Sequence, residues 1–475
     1  MRKRRLAFVG LIPSQAWKLA RRLERDGFEV YWIQKWKSEV EWLRGRGIEP
    51  ARILDASAAG PLNVPEDVAR LVDVEREEYP TINEIILMDR HLRRIDPEDA
   101  RQYIRFLVQV LTPFMGENQL DLVSTRRDTA LQILAMSVAA SCGIRAVIPT
   151  RLRLPRHRFG FTDSHEEREL LWLRPLEKHD YEAASSFLAT FRAAKVQPLY
   201  IPALASGKAI VRELPRHLRT LWRVVRDGWY DDDNYYSRWN ARELVATYLR
   251  KKRNLIGQTV ADVTEGFSAD RRILLFAMQT QPESSVDVLG SFHSDQFTLI
   301  TQIVRAMPAS HQLYVKLHPA SCDSFSPSYL KQLAALPGVK VLDRHIGSRE
   351  ALERSDIVFT ISSTIAFEAG LLAKSAIIFS NTFFKGLPTV HQCTEPTKLP
   401  KLVRKLLGKT SDPDVDDHII SFLAELFARS YDGEVNRFGT RLSEYEGDKL
   451  TEDELSTLVS AYTDVAAAFE RAGTA

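Results

Sequence analysis

The chain has 475 residues, 44% of them hydrophobic, 27% charged and 9% aromatic; at roughly 100–200 residues per domain this calls for two or three globular domains and excludes a disordered or collagen-like chain. Lys and Arg number 65 against 62 Asp and Glu, a formal charge of +3, which excludes the strong basic excess of a dedicated nucleic-acid binder. Cys142, Cys322 and Cys393 are too widely spaced for a zinc pattern or a disulfide framework, so a reducing, cytoplasmic setting is expected.

The basic start, Met1-Arg2-Lys3-Arg4-Arg5, does not lead into a signal-peptide core, because Pro13, Gln15 and Lys18 interrupt it. No apolar stretch reaches the roughly 18–20 residues that cross a bilayer. Leu6–Val9 is a strand, Ala16, Leu19, Ala20 and Leu23 recur at helical spacing, and Phe28–Ile33 is the next strand: an opening βαβ unit. A second unit follows at 120–149, with strands at Leu120–Ser124 and Ile144–Pro149 and an apolar helix at Thr129–Ala140 between them; Arg151–Arg158, rich in arginine and proline, is a loop. Residues 178–255 change character, with helices at Tyr181–Lys195, Ala209–Val225 and Ala241–Arg253. Arg212, Arg216, Arg219, Arg223 and Arg226, then Arg250-Lys251-Lys252-Arg253, make this stretch basic, either as solvated helix or as attraction to an anionic membrane surface. From 271 to 380 strands and helices alternate regularly: strands at Ile273–Met278, Gln312–Leu317, Val339–Leu342, Asp356–Ile361 and Ala376–Phe379, helices at Asp295–Met307, Ser328–Leu336, Glu350–Arg354 and Thr364–Leu372. That rhythm predicts a parallel, doubly wound sheet. The part after 398 is helical, and Thr451 with Glu454 forms a capping box ahead of the apolar face Leu455, Leu458, Val459, Tyr462, Ala466 and Phe469.

Three polar segments fall just past strands of the doubly wound part, where such sheets bind ligands. They are Gln279-Thr280-Gln281-Pro282-Glu283-Ser284-Ser285, Lys316-Leu317-His318-Pro319, and Ser362-Ser363-Thr364 at the start of a helix that carries Glu368. Singly, each reads as well as a solvated carboxylate, a turn or an N-cap. Together they bring a helix N-terminus suited to phosphate, a histidine able to hydrogen-bond it, and a carboxylate able to act as nucleophile or base. That set suits cleavage of a sugar–phosphate bond. Asp231-Asp232-Asp233 is no strand-end Asp-x-Asp pair and reads as a solvated loop, so no metal site is expected.

In order and spacing, residues 271–392 resemble the bacterial capsule polysaccharide biosynthesis family, which includes the retaining β-Kdo transferases. A similar pair of His-Pro and Ser-Ser/Thr segments recurs in bacterial sialyl- and polysialyltransferases, which also use CMP-sugars. Glu283 stands where the β-Kdo transferases generally have Asp, and Ala373-Lys374-Ser375 where Gly-Lys-Pro is common. The resemblance implies an α/β, GT-B-like fold of two Rossmann-like lobes with a helical insertion and a helical C-terminal tail. The division is then 1–177 as the acceptor lobe, 178–255 as insertion and linker, 256–397 as the nucleotide-sugar lobe and 398–475 as the tail. The implied function is metal-independent glycosyl transfer in surface polysaccharide synthesis, from a CMP-activated acidic sugar such as Kdo to a glycan or glycolipid acceptor. No cofactor beyond the nucleotide-sugar is expected, no nucleic-acid partner, and a cytoplasmic place that is peripheral at the inner membrane if the basic stretch meets lipid. Glu283 would be the catalytic carboxylate, nucleophile under retention or base under inversion, with Asp163 of the first lobe as the other candidate base. His318, in its Lys-x-His-Pro segment with Pro319, would contact the donor phosphate or nucleotide. Ser362, Ser363 and Thr364 would hold the phosphate, and Glu368 the ribose. Gln281 belongs to the same donor segment. Lys316 would neutralise phosphate charge or brace the strand end. A CDP-glycerol-type polyol-phosphate transferase and a non-catalytic assembly protein keeping the fold are the alternatives.

Overall fold

The computed structural model describes residues 2–193, 229–230, 234–237, 239–261, 264–268, 270–318, 324–343, 345–409, 412–435 and 450–473. In chain order the strands are β1 (Arg4–Val9), β2 (Phe28–Gln34), β3 (Ile53–Asp55), β4 (Leu122–Ser124), β5 (Arg145–Arg151), β6 (Arg158–Thr162), β7 (Trp229–Tyr230) and β8 (Trp239–Asn240). They continue as β9 (Thr264–Glu265), β10 (Arg272–Ala277), β11 (His311–Lys316), β12 (Val339–Leu342), β13 (Ile357–Thr360), β14 (Ser375–Ile378), β15 (Val390–Gln392) and β16 (Tyr431–Asp432). Contacts divide the chain into two units: Met1–Glu177, Asp231–Arg238 and Glu425–Ala475 form the first, Lys178–Tyr230 and Trp239–Ala424 the second.

The first unit is a seven-stranded sheet in the order β16-β6-β5-β4-β1-β2-β3. Strand β1 pairs in parallel with β2 and with β4, while β6 runs antiparallel to both β5 and β16. Leu6, Ala7, Phe8 and Val9 of β1 are all fully buried, the continuous apolar run of a strand covered on both faces. Gly10 ends it with a φ of +64°, a left-handed turn that a side chain would both strain and press onto Gln132. The helix Pro97–Glu117, absent from the sequence reading, starts on Asp96, whose carboxylate accepts the Glu98 N–H at 2.9 Å, and buries Ala100, Tyr103, Ile104, Leu107, Val108, Leu111 and Met115. An Asp-Pro start and this helical spacing were there to be read.

The C-terminal helix Glu452–Gly473 completes this unit's core. Its capping box forms: the Thr451 hydroxyl accepts the Glu454 N–H at 3.2 Å and the Glu454 carboxylate accepts the Thr451 N–H at 2.9 Å. Leu455, Leu458, Val459, Tyr462 and Ala466 are buried, with Phe469 packed beside them. The Tyr462 ring meets Phe8 and Phe161 edge-on at 5.8 and 5.2 Å, and its hydroxyl lies 2.8 Å from that of Ser124. Arg4 and Glu470 form a two-pronged pair at 2.7 and 2.9 Å.

The second unit's sheet also has seven strands, in the order β15-β14-β13-β10-β11-β12-β9, every neighbouring pair parallel. Helices Gln296–Ala306, Pro327–Ala334, Ser348–Arg354 and Thr364–Leu371 make the crossovers between β10 and β14. Both units are therefore doubly wound and Rossmann-like, the α/β class that the alternation of strand and helix predicts. In each sheet the chain reverses direction of travel beside its first long strand, between β1 and β4 and between β10 and β13. Helix Lys178–Ala193 lies within the stretch 178–255 read as a helical insertion, and helix Ala241–Ala261 begins there and runs past its end. The first is tied to the second unit, since Arg192 donates to the Leu371 carbonyl at 2.8 Å and pairs with Asp416 at 2.6 Å. The arginines 212–226 and the run Asp231–Asp233 lie outside the described residues. Among the described residues no helix is long and apolar enough to cross a membrane.

Leu458 is 1% exposed, and Leu458→Ala should lower the unfolding free energy by about 2–5 kcal/mol. Thr451→Ala, which removes only the cap, should cost about 1 kcal/mol. Denaturant titration of the two variants tests both values and their order.

Candidate active site

The segment after β10 is organised by glutamines. Gln279 is buried where β10 ends, and its side-chain carbonyl accepts the Ser362 N–H at 2.8 Å and the Thr360 hydroxyl at 3.2 Å. Its side-chain amide donates to the Ser362 hydroxyl at 3.1 Å. The end of β13 is thus fixed to the end of β10 by one side chain. Gln296, first residue of the next helix, closes the other side: it accepts the Gln279 backbone N–H at 2.8 Å and donates to the Gln279 carbonyl at 3.0 Å and to Gln281 at 3.1 Å. Gln281 donates in turn to the Ser294 carbonyl at 3.0 Å and to the Asp287 carboxylate at 3.3 Å. Residues 279–296 therefore form a loop pinned shut at its base.

Glu283 is exposed on that loop, at the start of the short helix Ser284–Asp287. Its carbonyl accepts the Val286 and Asp287 N–H groups at 2.9 and 2.8 Å, and its own N–H donates to the buried Asp287 carboxylate at 3.0 Å. The backbone beneath the carboxylate is held on both sides.

His318, two residues past β11, is half-buried, and its Nδ1 lies 3.3 Å from the Thr280 hydroxyl. Burial, and secondarily the charge of Lys316, push the imidazole below its ordinary value, so it is neutral at pH 7. Lys316 turns elsewhere. It is buried, donates to the Ile346 carbonyl at 2.6 Å, and is lowered by desolvation against a partial offset from Asp343 and Glu350. Its ammonium braces the connection after β12, the second of the two roles open to it from sequence. Pro319 and Cys322 lie outside the described residues.

Ser362 is fully buried, and besides its bonds to Gln279 its hydroxyl donates to the Ser285 carbonyl. It serves as a joint between segments. Ser363 is the half-buried N-cap of the helix Thr364–Leu371, its hydroxyl accepting the Ile365 N–H at a long 3.5 Å. Thr364 opens the helix, and Glu368 follows one turn later, on the same side and half-buried. Gln281, Glu283, His318, Ser363, Thr364 and Glu368 thus belong to one carboxyl edge of one sheet, linked through Thr280, Ser285 and Ser362. Asp163 is exposed just past β6 in the first unit. Among the described residues no group of three His, Cys, Asp or Glu side chains is placed to hold a metal ion. Sequence reading placed Gln279 at the head of its segment without a role of its own, and it missed Asp287 and Gln296. The signal was a glutamine directly after an apolar strand and another two residues on.

The first unit has the same topology with a different ending. There the helix Ala130–Ser141 follows β4, as Thr364–Leu371 follows β13. Its first N–H, that of Ala130, donates at 2.7 Å to the buried carboxylate of Asp89. Burial would raise Asp89, but Lys35, His91 and the N–H groups of Ala130 and His91 outweigh it and hold the carboxyl below its ordinary value. The protein's own anion meets that helix N-terminus; at the start of Thr364–Leu371 the cap among the described residues is the Ser363 hydroxyl.

Gln279→Leu leaves the buried Ser362 N–H without its acceptor, while the Thr360 hydroxyl keeps the Ala277 carbonyl at 3.1 Å. For one orphaned buried group, urea denaturation should show a loss of about 1–3 kcal/mol. A second expectation concerns pH. Because the folded His318 lies below its unfolded value, the unfolded chain binds more protons there as pH falls below about 6.5. Stability present at neutral pH is lost on acidification, and His318→Gln, uncharged throughout, should show a shallower fall in Tm between about pH 7 and 5.

Residues 228–395 match the model of a family described as capsule polysaccharide biosynthesis protein. No curated protein matches the chain. Among solved structures, the β-Kdo 2,4 transferase of Thermosulfurimonas dismutans KpsC is 16% identical, over 64% of this chain and 80% of that one, with a TM-score of 0.30. The β-Kdo 2,7 transferase of the same protein is 12% identical, over 67% and 89%, at 0.29. A putative UDP-N-acetylglucosamine 2-epimerase from Listeria monocytogenes is 12% identical, over 90% and 95%, at 0.24. Similarity that low carries nothing about activity. The stretch that matches the capsule polysaccharide biosynthesis model contains all three polar segments of the second unit.

Proposed function

We propose that the protein is a glycosyltransferase of capsular polysaccharide synthesis that moves an acidic sugar, Kdo in the first instance, from its CMP-linked form to a glycan or glycolipid acceptor. The observation that carries this reading is the convergence of Glu283, His318 and the Ser363–Thr364 helix start on one sheet edge inside the family match. Support for the donor's place comes from the contrast between the units: the N-terminus after β4 meets the Asp89 carboxylate, and the one after β13 is capped, among the described residues, by the Ser363 hydroxyl.

In this proposal the donor phosphate meets the N–H groups at the start of Thr364–Leu371, with the neutral imidazole of His318 as a further hydrogen-bonding group. These groups take the charge that develops as the bond from the anomeric carbon to the phosphate oxygen breaks and CMP leaves with the electron pair. Donor binding then needs no metal. Glu368, one turn along the helix, holds the ribose. If configuration is retained, the Glu283 carboxylate attacks the anomeric carbon, and the acceptor hydroxyl later displaces it with loss of its proton to solvent. If it is inverted, Glu283 instead takes that proton as the acceptor attacks. The reading places the enzyme in the cytoplasm, with the basic run Arg250–Arg253 on helix Ala241–Ala261 near an anionic membrane surface.

The test is turnover of CMP-Kdo, CMP-sialic acid and CDP-glycerol with EDTA present. CDP-glycerol as the sole substrate would mean a polyol-phosphate transferase, and CMP binding without turnover a non-catalytic protein. Glu283→Gln should cut transfer by a factor of about a thousand, some 4 kcal/mol in the barrier, with CMP affinity intact by calorimetry. His318→Ala should weaken CMP binding while leaving the fold. Normal turnover by Glu283→Gln alongside loss in Asp163→Asn would move the chemistry to the first unit.

A further inference from the structure

The pinned loop 279–296 carries a second feature. Phe292, on the single turn Ser291–His293, is 86% exposed. Burial of a phenylalanine is strongly favourable, and here the backbone on each side holds the ring out. Gly290 is packed so closely on Ile361 that a side chain there would collide with it. On the other side His293 turns inward: its ring lies 5.7 Å from Phe379, it hydrogen-bonds the Thr394 backbone, and burial lowers its pKa. The next residue, Ser294, accepts the Gln281 bond that closes the loop. The ring therefore stands on a turn anchored before and after it, and it shares that turn's loop with Gln281 and Glu283.

We infer that Phe292 is the platform on which a pyranose ring of the acceptor glycan stacks. This rests on the glycosyl-transfer reading. A sugar ring has an apolar face of C–H groups, which suits the negative face of an aromatic ring, and an edge of hydroxyls, which suits the exposed carboxylate of Glu283 on the same loop. Glu283 is the group proposed to face the reacting carbon, and Phe292 lies further along the loop from it. The openness of the ring suits an extended glycan that remains partly in solvent better than a small donor enclosed at the helix start.

The experiment measures binding of three fluorophore-tagged oligosaccharides, ending in Kdo, in N-acetylglucosamine and in galactose, to wild type, Phe292→Ala and Phe292→Trp. The wild-type protein should bind at least one of them. Phe292→Ala should weaken that Kd about tenfold, Phe292→Trp should restore it, and CMP affinity and Tm should stay unchanged in both variants. Unchanged glycan affinity in Phe292→Ala, or no binding of any of the three to wild type, overturns the inference. So does loss of flotation with phosphatidylglycerol vesicles in Phe292→Ala without loss of glycan binding, which would make the ring a membrane contact. If glycan binding depends on Phe292 while none of the activated donors is turned over, the transferase reading fails and the stacking inference stands.

Discussion

One side chain, the amide of Gln279, fixes the relation of the three polar segments to one another. Its carbonyl and NH2 both reach the end of the neighbouring strand, and its backbone is locked by Gln296 on the other side. Away from water such bonds are hard to replace, because a lost partner leaves a desolvated polar group with no alternative. Everything proposed for the site hangs from this point: the loop that carries Glu283 and Phe292, the Thr280 that touches His318, and the Ser362 that leads into the helix start. A hydrophobic residue in place of Gln279 would fill the space but specify none of these positions.

The two units end one topology in different ways. Each has a strand reversal with a helix starting beside it, the arrangement in which doubly wound sheets collect ligands. In the first unit Asp89, held ionised by Lys35 and by helix-start N–H groups, already supplies the negative charge. In the second, the cap among the described residues is the Ser363 hydroxyl, which accepts from one N–H of the helix start. Among the described residues, the first unit's helix start differs by a buried carboxylate that stands 41 residues earlier in the sequence.

Much of this was legible beforehand. The strands of the second unit, its crossover helices and the places of the three segments follow from apolar runs with polar breaks, because a strand covered on both faces has to be continuously hydrophobic. The capping box at Thr451 and the face from Leu455 to Phe469 were equally plain. The helix Pro97–Glu117 was readable and passed over. Ser362 and Lys316 were not readable as they stand. A serine at a helix start looks the same whether its hydroxyl faces a ligand or a buried glutamine, and a lysine at a strand end does not announce which loop it will brace.

Sequence alone thus determined the local elements, the doubly wound class and the residue types gathered at the carboxyl edge, since these depend on the chain's own periodicity and on which residues end its strands. Tertiary structure decided which polar groups are spent on the fold and which stay at the surface. It turned Ser362 and Lys316 inward, filled one helix start with Asp89, and held Phe292 out. It also brought a helix from the far end of the chain under Phe8 and Phe161 to finish the first core. The physical reason is that hydrogen bonds and packing are made between residues distant in sequence, and a side chain's role is set by the partner it meets there.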